Sequence, residues 1–441
     1  MKYHIKCLHC GKIYSENQYV TKCVNECDSV LRTEYEKKYF DVVEENQGIL
    51  KYINWLPFNN VSKQLSENCS SFSIYMSRKL ADYFGLENLL ICRNTYYPDS
   101  NESMRTGTFK DIEAEMSFQR IIETGEYGKP FVLSSDGNVA TSFIHYSNIF
   151  QYPVVLSVTE DARMNRIWSF RNSNPNVTLI SMQGNCDYYN SIALANELGK
   201  NNQFVSEGGA LNVARRDGIG TIMLEATKFL GHMPDHYFQS LGSGPGAIAV
   251  YETSLRLKED GRYGKTLPKI HSSQNHPFIP MYEAWQRRSR VIDSKYQDEN
   301  AVELIKQVYA HVLTNRYPAY SIKGGVFDAL ENTSGEFYSI TNEEAVKAQK
   351  MFKELEGYDI EPPVGVTVAS LIKSIENGTV NNDDYILLNI TGGGRENMKK
   401  EKFILNPTIT VNKNYNINDL MQFFFNNRRG MFSSQIKDSA T

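Results

Sequence analysis

The chain has 441 residues, which suits one large domain or two to three ordinary ones and leaves ample length for a sizeable core. Its formal net charge is -4, which gives no sign of a nucleic-acid or polyanion partner, and no run of 18 apolar residues marks a membrane span. The N-terminus MKYHIKCLHC is not a signal peptide and seven irregularly spaced cysteines are not a secreted disulfide framework, so the expectation is a cytoplasmic enzyme.

Cys7, Cys10, Cys23 and Cys27 form the pattern C-x2-C-x12-C-x3-C. Two close pairs of soft ligands suit structural zinc, with Gly11 in a knuckle turn; the alternative is a small Cys-containing β-module without metal. His4 and His9 read as surface residues, and residues 28–70 as a polar connecting module. Beyond them strands and helices alternate. The pattern predicts a helix over 73–84 stopped by Gly85, a strand over 88–92, and a helix from Lys110 to about Thr124 with Thr108 as its cap. Next come a strand over 130–134, a helix over 139–150, strands over 153–158 and 177–182, and helices over 188–198 and 218–230. A strand over 236–241 leads through a Gly-rich loop to a helix over 247–258. Helices near 301–313, 342–355 and 364–376 precede a strand over 385–390. This alternation means an α/β fold with largely parallel sheets.

Four stretches carry chemistry. "RTGTFKDIEAE", from Arg105, puts Lys110 at a helix start, where a positive charge opposes the helix dipole and is either solvated or kept for a reaction. "LSSDGNVATSF", from Leu133, is a strand–turn–helix that sets Asn138 at the carboxyl edge of a sheet. "LGSGPGAIAVYETSL", from Leu241, places Gly242, Ser243, Gly244 and Gly246 before a helix whose free N–H groups suit a phosphate. It is not a dinucleotide fingerprint, because position 247 is Ala, and Pro245 removes one N–H donor. "YILLNITGGGRENM", from Tyr385, is a buried strand delivering the Thr391 hydroxyl before three glycines.

In this order the four stretches resemble the layout of fold-type II pyridoxal-phosphate enzymes, the tryptophan synthase β-like fold, and within it the threonine synthase branch. Nearly the whole chain is most similar to the cysteate synthase family. The resemblance includes the N-terminal Cys element, "EGGALNVARRDGIGTIML", "MPDHYFQSLGSG", "QNHPFIPMYEAW", "LTNRYPAYSIKGGVFDAL" and "LLNITGGG". It implies two open twisted sheets with flanking helices, pyridoxal 5'-phosphate as cofactor, and self-association as a dimer or trimer.

The resemblance also implies roles. Lys110 matches the lysine that carries the cofactor and later moves the α-proton. Asn138 matches the residue at the cofactor's 3'-oxygen, and Thr391 the one facing its ring nitrogen. Gly242, Ser243, Gly244 and Gly246 match the phosphate loop. Ser135, Asp136, Gly137 and Val139 match the loop beside the substrate carboxylate. Arg215 and Arg216 are candidates for a cationic wall facing anionic substrates. The implied reaction is β-replacement on O-phospho-L-serine by sulfite, through an aminoacrylate, giving L-cysteate and phosphate on a route to coenzyme M. Alternatives are a threonine synthase-like lyase or β/γ-replacement enzyme for another phosphorylated or phosphonate amino acid, and a silent amino-acid-binding paralogue.

The loop departs from its family at two places: Asp136 stands where a small residue is usual, and Val139 where a hydroxyl is usual. Asp136 would repel a substrate carboxylate unless turned away or paired with an arginine such as Arg105. The expected division is a Cys-rich module over 1–50, a large cofactor domain over 51–110 and 236–431, a smaller α/β domain over 111–235, and a disordered tail over 432–441.

Overall fold

The structure is a computed structural model that describes residues 1–97, 104–126, 128–398 and 401–431. The tail expected over 432–441 lies outside the described residues. Among the described residues no helix is long and apolar enough to cross a membrane.

The N-terminal module is a three-stranded antiparallel sheet in the order β2-β1-β3, made of β1 (Tyr3–Cys7), β2 (Ile13–Ser15) and β3 (Leu31–Tyr35). Alternation along β1 turns Tyr3, Ile5 and Cys7 inward, so the first cysteine sits at the end of a buried row. Residues 28–70 are not a mere connector. They contribute β3 and a 3-10 segment, Gly48–Trp55, that buries Ile49, Leu50, Tyr52 and Trp55.

Two larger sheets follow. One contains β4 (Ser73–Met76) and β5 (Asn88–Arg93). The other begins with β6 (Phe131–Ser134), β7 (Val154–Thr159), β8 (Val177–Met182) and β9 (Val205–Ser206). The chain then returns to the first sheet for β10 (His236–Ser240), β11 (Lys269–Asn275), β12 (Glu336–Ile340) and β13 (Tyr385–Ile390). It ends in the second with β14 (Ile409–Val411). The first sheet has the order β12-β11-β10-β13-β5-β4 and is parallel except for β4; the second has the order β14-β8-β7-β6-β9 and is parallel throughout. Strands such as β13, buried from Ile386 to Ile390 and apolar there except for Asn389, lack polar alternation because helices cover both sides of a parallel sheet.

Several elements differ from the sequence pattern. The helix expected over 73–84 divides: Ser73–Met76 is a strand, paired antiparallel with β5 at Met76 and Leu90, and only Lys79–Phe84 is helical. The sheet edge decides this, since a short amphipathic run satisfies either period. Gly85 ends the helix in the left-handed conformation, as its position suggests. The helix expected from 218 starts at Val213, where the Asn212 side chain accepts the Ala214 N–H at 2.9 Å. The strands β11 and β12 have no counterpart in the sequence reading. Buried β11 is polar, with His271, Ser272, Ser273, Gln274 and Asn275 all inside. Ile409–Val411 falls in a segment placed above with the large domain, yet it is hydrogen-bonded beside β8 in the other sheet.

Candidate active site

The carboxyl ends of the two parallel sheets face a cleft of about 370 Å³, the place where open α/β sheets bind ligands. Lys110, Asn138, Gly242, Ser243, Gly244 and Thr391 all line it. Four separate turns thus deliver to one cavity the residues that lie up to 281 positions apart in sequence, from 110 to 391.

Lys110 opens the Lys110–Glu123 helix. Phe109 occupies the cap position, but the Thr108 hydroxyl takes the Lys110 N–H at 3.3 Å, so Thr108 does the work expected of it. Asp111 and Glu113 in the first turn supply the negative charge the dipole favours, which offsets the lysine. The Lys110 amine donates to Glu113 Oε1 and lies 4.1 Å from the centre of the Phe109 ring. Burial pushes the amine below its ordinary value, while Glu113 pulls the other way.

Glu113 is fully buried and passes the charge on. Its Oε2 accepts Arg215 Nη1 at 2.7 Å, and Arg215 Nε donates to Glu207 Oε1 at 2.6 Å. Glu207 is fixed in turn by Ser117 at 3.1 Å and Asn212 at 2.7 Å. Lysine, glutamate, arginine and glutamate therefore alternate along one buried chain, which is how buried charges are tolerated.

Asn138 starts the Asn138–Phe150 helix. Its Nδ2 donates to Glu361 Oε2 at 2.6 Å and its Oδ1 accepts Arg395 Nη2 at 2.9 Å. An amide nitrogen has two hydrogens, so one N–H remains for a ligand oxygen. Gly244, at φ +92°, begins the Pro245–Asp260 helix, and a Cβ there would overlap Val326. Asn315 Nδ2 holds Ser243 Oγ at 2.7 Å. The helix start and its loop offer unpaired N–H groups to an anion.

Residues 94–392 match the family described as pyridoxal-phosphate dependent enzyme. The chain is 43% identical to a cysteate synthase of Methanosarcina acetivorans, over 93% of this chain and 97% of that protein. The chain belongs to the cysteate synthase family of pyridoxal-phosphate-dependent enzymes. A cysteate synthase of Methanococcoides burtonii is 39% identical over 91% of both chains. Among solved structures, a pyridoxal 5'-phosphate-dependent aspartate racemase (TM-score 0.53, 15% identity, 73% of this chain and 90% of that one) shares the fold. So does maize serine racemase (TM-score 0.53, 12% identity, 80% of this chain and 92% of that one).

The donor set of this cysteate synthase family member fits the cofactor. A buried amine, a free amide N–H, a helix start on a glycine loop and a threonine hydroxyl surround one cavity. Not every residue singled out from the sequence reaches it. Ser135, Asp136, Gly137, Val139 and Arg215 line the cleft, but Arg216 does not. Arg216 turns to Glu252, at 3.0 Å, and to the carbonyls of Ala210 and Leu31, because adjacent residues on a helix face different sides. Gly246 does not line the cleft either; its Cβ position is filled by the Gln239 side chain, so it serves helix–sheet packing. Asp136 is paired with Arg166 rather than Arg105. Glu113, Glu207, Arg166 and Glu361 were missed. Only Glu113 had a local signal, three positions after Lys110 on the same helical face.

The four cysteine sulfurs lie within 4.8 Å of one another, with Cys10 and Cys23 at 3.6 Å, and none is in a disulfide.

Proposed function

We propose that the chain makes L-cysteate and phosphate from O-phospho-L-serine and sulfite. What supports the reading is the Lys110 amine, lining a cleft shared with Asn138, Thr391 and the glycine loop, in a chain of this family. Lys110 would hold the cofactor covalently, the loop from Gly242 its phosphate, Asn138 its 3'-oxygen, and Thr391 its ring nitrogen. When bound, the cofactor supplies the electron sink that makes the α-proton of an amino acid acidic. Lys110, with an amine made less basic by burial, takes that proton. The bond from the β-carbon to the phosphate oxygen breaks and phosphate leaves with the electron pair. Sulfite sulfur then bonds to the β-carbon, and Lys110 returns the proton to the α-carbon. Ser135 and the backbone of its turn face the substrate carboxylate, with Arg166 neutralising Asp136. Thr391 would offer the ring nitrogen a hydroxyl and not a carboxylate, which would leave that nitrogen largely unprotonated and would favour elimination over transamination.

The same reading gives the four cysteines one zinc ion. Sulfurs bound at about 2.3 Å in a tetrahedron stand about 3.8 Å apart, close to the 3.6 Å between Cys10 and Cys23. It also includes self-association and a cytoplasmic location.

The test is direct. Purified holoenzyme given phosphoserine and sulfite yields cysteate and phosphate in equal amounts, and borohydride reduction followed by peptide mapping puts the pyridoxyl group on Lys110. No cysteate despite bound cofactor overturns the substrates; an adduct on another lysine overturns the role of Lys110.

A further inference from the structure

Both proposed substrates are anions, so the cleft must offer positive charge that is not already spent. Among the described residues lining it, Lys110 and Arg215 are compensated by Glu113 and Glu207, and Asp136 by Arg166. One lining cation has no ion pair or hydrogen bond: Lys22, exposed at the cleft edge. It comes from the N-terminal module, not from either large sheet.

Lys22 is placed by fixed neighbours on both sides. Before it, the Gln18 carbonyl accepts Arg120 Nη2 at 2.7 Å. The Tyr19 hydroxyl donates to the Glu207 carbonyl at 3.2 Å and accepts Asn212 Nδ2 at 3.0 Å. Thr21 packs on Gly208, which is at φ +94° and whose Cβ position the threonine side chain fills. After it comes Cys23, held by the Tyr14 hydroxyl at 3.2 Å within the four-cysteine cluster. The lysine therefore spans a short bridge from the cluster to the Glu207–Gly208 wall of the cleft.

We infer that Lys22 recruits the anionic nucleophile at the cleft mouth and that the cysteine cluster is what keeps it there. The inference rests on the proposed reaction for the anionic character of the substrates and for the name of the nucleophile, sulfite. A flexible ammonium at an edge suits a small tetrahedral or pyramidal oxyanion, which it meets as a point charge. It also explains why a distant cysteine module belongs to a catalytic chain: it supplies a side chain to the site.

The experiment is a calorimetric titration of holoenzyme with inorganic sulfate, an unreactive stand-in for sulfite. K22A and K22Q should weaken sulfate binding about five- to tenfold, between the effect of an exposed pair and that of a charged hydrogen bond; K22R should stay close to wild type. The KM for sulfite should rise by the same factor, with the change on KM rather than kcat. C10S should weaken sulfate binding as K22A does. If C10S does not fold, T21G loosens the same bridge without touching a thiol and should give that loss. Sulfate binding that is absent in wild type or unchanged in K22A overturns the role of Lys22. Unchanged binding in folded C10S, or in T21G, overturns the role of the bridge. Because sulfate does not react, failure to form cysteate while sulfate binding still depends on Lys22 would sink the proposed reaction and leave the anion site standing.

Discussion

The Asp136 carboxylate faces the cleft and is claimed by Arg166, which donates to Oδ1 at 2.7 Å and to the Asp136 carbonyl at 2.9 Å. A carboxylate beside an anionic substrate is tolerable on those terms. Burial nevertheless pushes its pKa up to about 6, with Arg166 opposing.

Replacing Asp136 by Ala should change the KM for phosphoserine by less than about threefold, the scale of a weak charge interaction. In wild type the carboxyl takes up a proton as pH falls through about 6, so residual repulsion of the substrate weakens on acidification. Asp136→Ala should remove that part of the KM–pH curve. Arg166→Ala is the opposite case: the carboxylate is left unpaired, and KM for phosphoserine should rise. Steady-state kinetics at several pH values measures all three, and a loss of activity in Asp136→Ala above tenfold would mean the carboxylate binds substrate.

Glu113 raises the pKa of the Lys110 ammonium, and burial lowers it. Glu113→Gln removes only the raising influence, so the neutral amine becomes available at lower pH. The acid limb of the kcat profile should move to lower pH, and Glu113→Asp should restore part of the difference. An acid limb that stays in place in Glu113→Gln would show that Glu113 does not act through Lys110.

Protein purified without chelator should contain about one zinc per chain, the content of a four-cysteine site. Cys10→Ser should lose the metal and lower the melting temperature, since metal binding is coupled to folding. Elemental analysis beside calorimetry checks it; a metal-free protein that melts no lower than the loaded one would remove the metal from the account.

On the far side of the Lys110 helix, Glu115 accepts the Ser70 N–H at 2.9 Å and is otherwise enclosed, and burial pushes it up to about 8. The folded state therefore keeps a proton that the unfolded chain releases from about pH 4.5 upward. Stability from this group is lost progressively as pH rises from about 4.5 to about 8 and is level above that. Glu115→Gln keeps the acceptor for Ser70 and should flatten the slope. Urea unfolding at pH 5 and pH 8 tests it: the variant should lose less stability than wild type between the two.

Much of this architecture is written locally. Lys110, Asn138 and the glycine loop announce themselves because each sits at a strand–turn–helix junction with a distinctive turn sequence. The buried strand ending at Thr391 is legible for the same reason. The partners of those residues are not. Arg166 and Glu361 meet Asp136 and Asn138 only after the sheets form, and nothing in their own neighbourhoods marks them; Glu207 lies eight residues before Arg215, but no short spacing rule pairs the two. Strand β11 is hidden by its polar side chains: Asn275 finds a tertiary partner in Asn342, while the Ser272 and Ser273 hydroxyls are buried without one. Arg216 shows the converse failure: two adjacent arginines look equivalent in a string, but a helix sends them to different sides.

Strand order also carries a consequence for synthesis. In the first sheet β13 lies between β10 and β5, so residues 385–390 join two halves made much earlier. In the second, β8 keeps an open edge until residues 409–411 arrive. A chain leaving the ribosome thus carries split sheets and an unsatisfied hydrogen-bonding edge for most of its length, a state prone to mispairing. The cleft lining is completed by Thr391, so the cofactor site is whole only after residues 385–390 have joined the two halves of the first sheet.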